Sequence, residues 1–359
     1  MGGLLRPLSD EELSRQYRAS NRKKLAFMLV SFVLIVISFF ITLGFGVYRI
    51  SIIDADIAFI DHLLGKELDP NVEEYVWNTR VPRAIGAILV GAGLSVAGVV
   101  MQNDFKNPLA EPYTMGISSG AFLGATLSII LGVSIIPFVS SDYMTVANAY
   151  LFSLIPVAVL VLISRFRKLT PASMILIGIA VMFLFSSISQ ILMVTAPSEN
   201  LADAYAWRVG SLDRLRWDKL PIVAVSTVIF TALICLFIKK LNVMYIGDRS
   251  VKTVGENPPQ IRITTLVLAS LLTAGIVSFT GTIGFIGLVG PHIARIFVGS
   301  NNRYLIPASA FFGAAFILIA DSIAKISGVN GLPVGVISSM IGGPLFIWIL
   351  IKQRKSAWT

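Results

Sequence analysis

The sequence predicts an all-α polytopic membrane protein with about ten transmembrane helices, some short or broken, and with both termini in the cytoplasm. Three observations carry that prediction. Of 359 residues, 55% are hydrophobic and only 14% charged, with a mean hydropathy of +0.80; soluble chains carry about a quarter charged residues. Nine windows of roughly span length contain no Asp, Glu, Lys or Arg. With the termini placed inside, 20 of the 29 Lys and Arg fall in inner loops, whereas 13 of the 20 acids fall in outer ones, as the positive-inside rule requires. The net charge of +9 is thus an orientation signal rather than a nucleic-acid patch.

Residues 1–24 form a polar, basic cytoplasmic segment with no apolar core, unlike a signal peptide. Within it Ser9–Leu13, "SDEEL", reads as a helix start with acids in its first turn. A single transmembrane domain, 25–352, follows, and 353–359 is a short cytoplasmic tail. The first window is Leu25–Tyr48. The outer loop 49–83 is long and acidic, with an amphipathic part expected to lie as a short helix on the outer surface, where His62 is read as solvated rather than a ligand. Arg80 and Arg83, in "RVPR", stand at the mouth of the window Ala84–Asn103, as interfacial cations or as receivers of a partner's carboxylates. Pro112–Ser141, Tyr143–Ser164, Leu169–Ser198 and Leu220–Ile238 come next. The inner loop 239–262 follows; there Asp248 is a plausible N-cap, Arg249–Val254 a short helix, Gly255 its C′ residue, and Pro258–Pro259 a stop.

Ile263–Ala294 is too long for one helix. It contains "FTGTIGFIGLVGPHIAR", with Gly281, Gly284, Gly287 and Gly290 spaced every third residue. Glycine at that spacing serves close helix packing, but the Pro291–His292 pair that follows favours a broken helix lining a transport route. The expected split lies near Gly281–Gly284, and His292 is read as a hydrogen-bonded structural residue near the inner face. Tyr304–Ala320 and Ile326–Ile351 complete the set. Between them Asp321 and Lys325 stand i, i+4 on one helical face, a local pair.

Chemistry-bearing constellations are scarce. One cysteine, Cys235, excludes a disulfide framework. No HExxH or CxxC spacing suggests a metal, and no cofactor is implied. There is no G-x-x-x-x-G-K-[ST], so a P-loop ATPase, if one drives transport, is another polypeptide. Buried acids are too few to favour an ion-coupled secondary transporter or channel acting alone, and no triad suggests a membrane-embedded enzyme.

The stretch "RVPRAIGAILVGAGLSVAGVVMQNDFKNPLAEPYTMGISSGA" resembles the R-x-P-R…G-A-x-L-x-x-x-G…Q…N-P-L-A-x-P…G signature of FecCD-type permeases. These are the membrane subunits of type II ABC importers for ferric siderophores, haem and cobalamin. "WRVGSL" is similar to their W-x-x-G-S, "IGDRSVKTVG" to the L-G-x(7)-G of their coupling loop, "FIGLVGPHIAR" to F-x-G-L-x-x-P-H-x-x-R, and "LPVGVISSMIGGPLFIWIL" to their last span. The order holds from about Arg80 to Leu350. Two departures concern the outer face: Gly331 stands where the family usually has Glu in E-L-P-x-G, and Lys325, shifted by one residue, stands for a common arginine. The long acidic outer loop also exceeds the family pattern.

The resemblance implies a homodimer in the cytoplasmic membrane with its pathway on the two-fold axis, surrounded by lipid. Two cytoplasmic ATPase subunits would engage Gly247, Asp248, Arg249, Ser250, Val251, Lys252, Thr253, Val254 and Gly255. An extracytoplasmic substrate-binding protein would dock at Arg80, Arg83 and Lys325. Leu169–Ser198 would line the pathway, with Met182, Ser186, Ser189 and Met193 at roughly helical spacing either on that lining or in simple packing. The cargo it implies is a metal chelate, most readily a ferric siderophore, with haem or cobalamin as the alternative.

Overall fold

The structure, a computed structural model, describes residues 10–137, 139–167, 169–328 and 331–353. Ser9, the expected start of a short cytoplasmic helix, and the tail beyond Gln353 lie outside the described residues; from Asp10 the helix instead runs unbroken into the first span.

Among the described residues every regular element is helical. The order is α1 (Asp10–Gly44), α2 (Ile52–Leu63), α3 (Pro70–Val72), a π-helical stretch Glu73–Arg80, α4 (Val81–Phe105), a 3₁₀ turn Pro112–Met115, α5 (Ile117–Leu131), α6 (Ser141–Phe166), α7 (Pro171–Val194), α8 (Ser198–Val209), α9 (Leu220–Leu236), α10 (Ile238–Ile246), α11 (Asp248–Thr253), α12 (Pro258–Thr280), α13 (Ile286–Val298), α14 (Asn302–Ile326) and α15 (Val334–Gln353). Seven of these runs are long and apolar enough to cross a membrane, the α9–α10 pair forms an eighth with a 58° bend, and α5 and α13 are shorter apolar helices. The total of ten agrees with the sequence expectation.

α4 and α14 are the central helices, largely buried, packed on each other and on α1, α12 and α13. α1 and α7 lie outside, and Leu176, Phe183, Leu184, Ile188, Ile191 and Val194 of α7 are exposed. The backbones of α4 and α13 meet at Gly98 and Gly287, where a Cβ on Gly98 would run into the Gly287 carbonyl. Without a hydrophobic force between helices in lipid, such contact through small residues is a main source of association. Gly98→Val is therefore expected to lower stability by about 1–3 kcal/mol, read as a fall in midpoint of thermal unfolding in detergent; an unchanged midpoint would show that the two helices can part freely.

The glycine run 281–290 divides near Gly281, as expected. α12 ends at Thr280, Gly281 turns with φ 72°, and α13 starts after Phe285, whose own φ is 68°. Glycine is required at 281 both by that φ and because a Cβ would strike the Trp207 carbonyl.

Three window boundaries differ from expectation. Pro112–Ser141 contributes only the 15-residue α5, because the Pro112 turn and the left-handed Gly116 delay its start. α14 does not stop at Ala320 but carries Asp321 and Lys325 inside it, paired with each other and with Arg83 of α4. The last span begins at Val334, after a turn closed by Gly331 at φ 79°. The outer loop does form the expected helix, α2, capped by the Ser51 hydroxyl accepting from the Asp54 amide.

Candidate functional site

Polar side chains concentrate at three levels: an outer mouth, an inner knot and a cleft beside the broken helix.

At the outer mouth a cavity of about 410 Å³ is lined by Tyr48, Arg80, Arg83, Asp213, Lys325 and Gly331 among others. Asp321 is fully buried beneath it. Its Oδ1 accepts from Arg83 Nε at 2.9 Å and pairs with Arg83 Nη2 at 2.8 Å; its Oδ2 pairs with Lys325 Nζ at 3.1 Å. Lys325 Nζ also donates to Thr42 Oγ1 at 3.1 Å, which ties the outer end of α1 to α14. Arg83 reaches a second, exposed carboxylate on Asp213. The i, i+4 pair read from sequence is thus one edge of a network spanning α1, α4, α14 and the segment after α8.

Arg80 and Arg83 are not snorkelling surface cations. Arg80 is 4% exposed, and its guanidinium donates to the Leu43 carbonyl at 2.7 Å and to the Tyr48 carbonyl. It closes the turn after α1, where backbone acceptors otherwise have no helical partner. The π-helical stretch sets this direction, since one extra residue in the turn re-aims the side chain at its end. Nearby, His62 is not simply solvated: its ring stacks on Trp77 with centroids 3.8 Å apart and stands 3.5 Å from Glu73.

At the inner knot Asp248 does not cap α11. Gly247 occupies the N-cap position, and the Asp248 carboxylate takes Lys106 Nζ at 2.7 Å and Arg262 Nη2 at 3.0 Å. Burial alone would raise the Asp248 carboxyl, but the bond from Lys106 and the nearby Arg262 charge outweigh it and hold the group below its ordinary value. Arg262, buried, also donates from Nε to the Asp104 carbonyl at 2.7 Å. The far end of α11 follows expectation. Gly255 has φ 79°, its amide donates to the Lys252 carbonyl, and the Glu256 amide donates to that of Val251, a Schellman closure. Val251 is packed against Met244 and Ile261, whereas Arg249, Lys252, Thr253 and Val254 are exposed.

This knot is pH-dependent in a defined direction. Because the folded carboxyl is depressed, its contribution is present above the unfolded value of about 4 and is lost as pH falls below it. Asp248→Asn is expected to raise hydrogen exchange across 248–255 at neutral pH to the level that the wild type reaches only in acid. Equal exchange in both proteins at pH 7 would show that the carboxylate does not hold α11.

The third level lies where α5 and α13 start. α13 is 13 residues long, about 20 Å against a hydrocarbon thickness of about 30 Å, so it is too short to cross by itself. The Tyr113 hydroxyl donates to the Ile283 carbonyl at 2.9 Å and accepts from its amide, coupling the start of α5 to the break. Of the α7 stripe, Met182 and Ser186 line an open cleft of about 260 Å³. Ser189 is buried and donates to the Phe185 carbonyl, and Met193 packs against Phe122 and Trp207. The two alternatives for the stripe therefore divide along it. His292 is buried, with Nδ1 3.3 Å from the Leu288 carbonyl and Phe346 edge-on to its ring, a structural residue as read from sequence.

Sequence reasoning passed over two groups. Arg295 Nη2 donates to Gln102 Oε1 at 2.9 Å, linking α13 to α4. Glu111 Oε2 is enclosed with no hydrogen-bond partner among the described residues. The first could have been sought in the motif arginine; no periodicity marks the second.

Comparison with known proteins places this arrangement. The family model described as the FecCD transport family matches residues 34–352. An Fe(3+)-citrate import system permease from Bacillus subtilis is 36% identical over 345 residues, covering 96% of this chain and all of that one. A hemin transport system permease from Yersinia pestis is 35% identical over 284 residues, covering 78% of this chain and 84% of that one. A solved structure described as an inward-facing metal-chelate type ABC transporter superposes with a TM-score of 0.79 at 30% identity, covering 90% of this chain and 98% of that one.

Proposed function

The chain belongs to the FecCD transport family, a multi-pass permease of the metal-chelate, type II ABC importer class in the cytoplasmic membrane, and from that premise we propose that its cargo is a ferric siderophore. The observation that carries the choice of iron is the match to an Fe(3+)-citrate permease along its whole length. A haem cargo is the second reading, favoured by the hemin relative.

In this reading two copies enclose the pathway between them. The face of α7 that bears Leu176, Phe183, Leu184 and Ile191 is uncovered in the single chain and contains no charge. A second copy over part of it would bury apolar surface and leave Met182 and Ser186 facing the route. The chain carries no P-loop, so two partner ATPase subunits supply the energy, engaging the exposed Arg249, Lys252 and Val254 of the α11 loop. An outer binding protein seats over the mouth. There Arg80, Arg83, Arg214 and Lys325 outnumber Asp213 and Asp321, and the surplus positive charge suits acidic side chains and steers encounter. Arg83 and Lys325 are balanced by Asp213 and Asp321, so the surplus is carried by Arg80 and Arg214, with Arg80 also fixing the rim.

The test is reconstitution of this permease with its ATPase and binding protein, followed by uptake of radio-iron siderophore. ATP-dependent accumulation is expected. Equal accumulation by vesicles holding only this polypeptide under an ion gradient would overturn the reading.

A further inference from the structure

Resting on the chelate reading above, we propose that the cleft between α5, α7, α8 and the helix break is a subsite for negatively charged, oxygen-rich ferric chelates, with Arg208 as its specificity-determining residue.

Arg208 reads from sequence as one more outer-loop cation. The structure places it elsewhere. α8 folds back onto the break: the Ser211 amide donates to the Thr280 carbonyl at 2.8 Å, Trp207 is buried, and Gly281 lies against the Trp207 carbonyl. Arg208 thereby joins Ser118, Ser119, Ser186, Gln190 and Thr282 around a cleft of about 260 Å³. Its guanidinium lies over the Phe122 ring at 5.4 Å, and no carboxylate pairs with it among the described residues.

Three features distinguish this arrangement from a smooth apolar wall. Arg208 is exposed at the cleft with no carboxylate partner among the described residues, and an unpaired arginine set among membrane helices is ordinarily functional. Here its charge is available, held by a ring face that leaves its donors free. Around it stand the hydroxyls of Ser118, Ser186 and Thr282 and the Gln190 amide, which can donate to carboxylate or phenolate oxygens without binding them tightly, while the Ser119 hydroxyl donates to the Gly116 carbonyl. A planar, permanently charged fork suits carboxylate oxygens better than a point charge does. The ligand class that this set recognises is a chelate whose surface carries uncompensated anionic oxygens. An uncharged complex gains nothing from Arg208, and a cationic one is disfavoured.

Two measurements test the inference. In a Cys235→Ser background, Ser186→Cys introduces a single thiol into the cleft of the reconstituted importer. Its rates of modification by anionic sulfonatoethyl and cationic trimethylammonioethyl methanethiosulfonate are compared. With Arg208 present the anionic reagent is expected to gain about tenfold over its ratio with free thiol; Arg208→Gln removes the gain and Arg208→Glu inverts it. A ratio insensitive to residue 208 overturns the subsite. Uptake per ATP hydrolysed is then compared for ferric citrate, which is anionic, and ferrichrome, which is uncharged. Arg208→Glu is expected to cut ferric citrate uptake at least tenfold, with Arg208→Lys retaining part of it. Wild-type importer that moves ferrichrome but not ferric citrate overturns the inference and leaves the chelate reading intact. Importer that moves no ferric chelate overturns the chelate reading itself.

Discussion

Asp321→Ala should cost the fold about 3–5 kcal/mol, the range for removing one partner of a buried ion pair. The carboxylate is wholly buried and is the common partner of Arg83 and Lys325, whose side chains are 11% and 4% exposed. Removing it leaves two cations facing each other across α4 and α14 with one remaining counter-charge, the exposed Asp213. The loss arises from the uncompensated charges, not from the worth of the pair itself. The double variant Asp321→Ala with Lys325→Met should therefore recover a large part of the stability. Equilibrium unfolding in mixed detergent measures both. If the single variant unfolds at the wild-type midpoint, or if the double variant is worse than the single, the network is not what joins these helices.

The second large effect is functional. Arg249→Glu with Lys252→Glu reverses two exposed charges on α11 without touching Val251, which anchors it. Uptake in the complete importer should fall at least tenfold, about 1.4 kcal/mol of lost coupling, while the permease keeps its unfolding midpoint. ATP hydrolysis should continue but cease to respond to loaded binding protein. Normal uptake with the ATPase still bound would remove α11 from the energy-transmitting contact. The fixed Asp248–Arg262 link makes the distinction clean, because it holds the helix to α12 whatever its outer face carries.

The class of this protein, its orientation and the position of its main break were all legible in the chain. Each depends on local composition. Lipid demands apolar windows of fixed length, the inner face collects lysine and arginine, and Gly281 marks a backbone conformation that other residues resist. The inner loop 239–262 was legible for the same reason at its C-terminal end, where Gly255 closes a local turn. Its N-terminal end was misread: Asp248 has the chemistry of a cap, but Lys106 and Arg262 compete for it from 142 and 14 residues away.

The mouth shows the same limit. "RVPR" announces two cations, and only the packing of α1 against α4 reveals that Arg80 spends its donors on the Leu43 and Tyr48 carbonyls. Arg208 is the sharpest case. By sequence it follows a span and precedes a polar loop. By structure it lies beside Thr282 and Phe122, because α8 turns back and glycines at 210 and 281 let the two backbones meet. The sequence alone determined which segments enter the membrane and where they must break, since solvent and backbone energetics act over a few residues. The tertiary structure decided which charges are compensated and which are left unpaired, since that depends on partners brought together from distant parts of the chain.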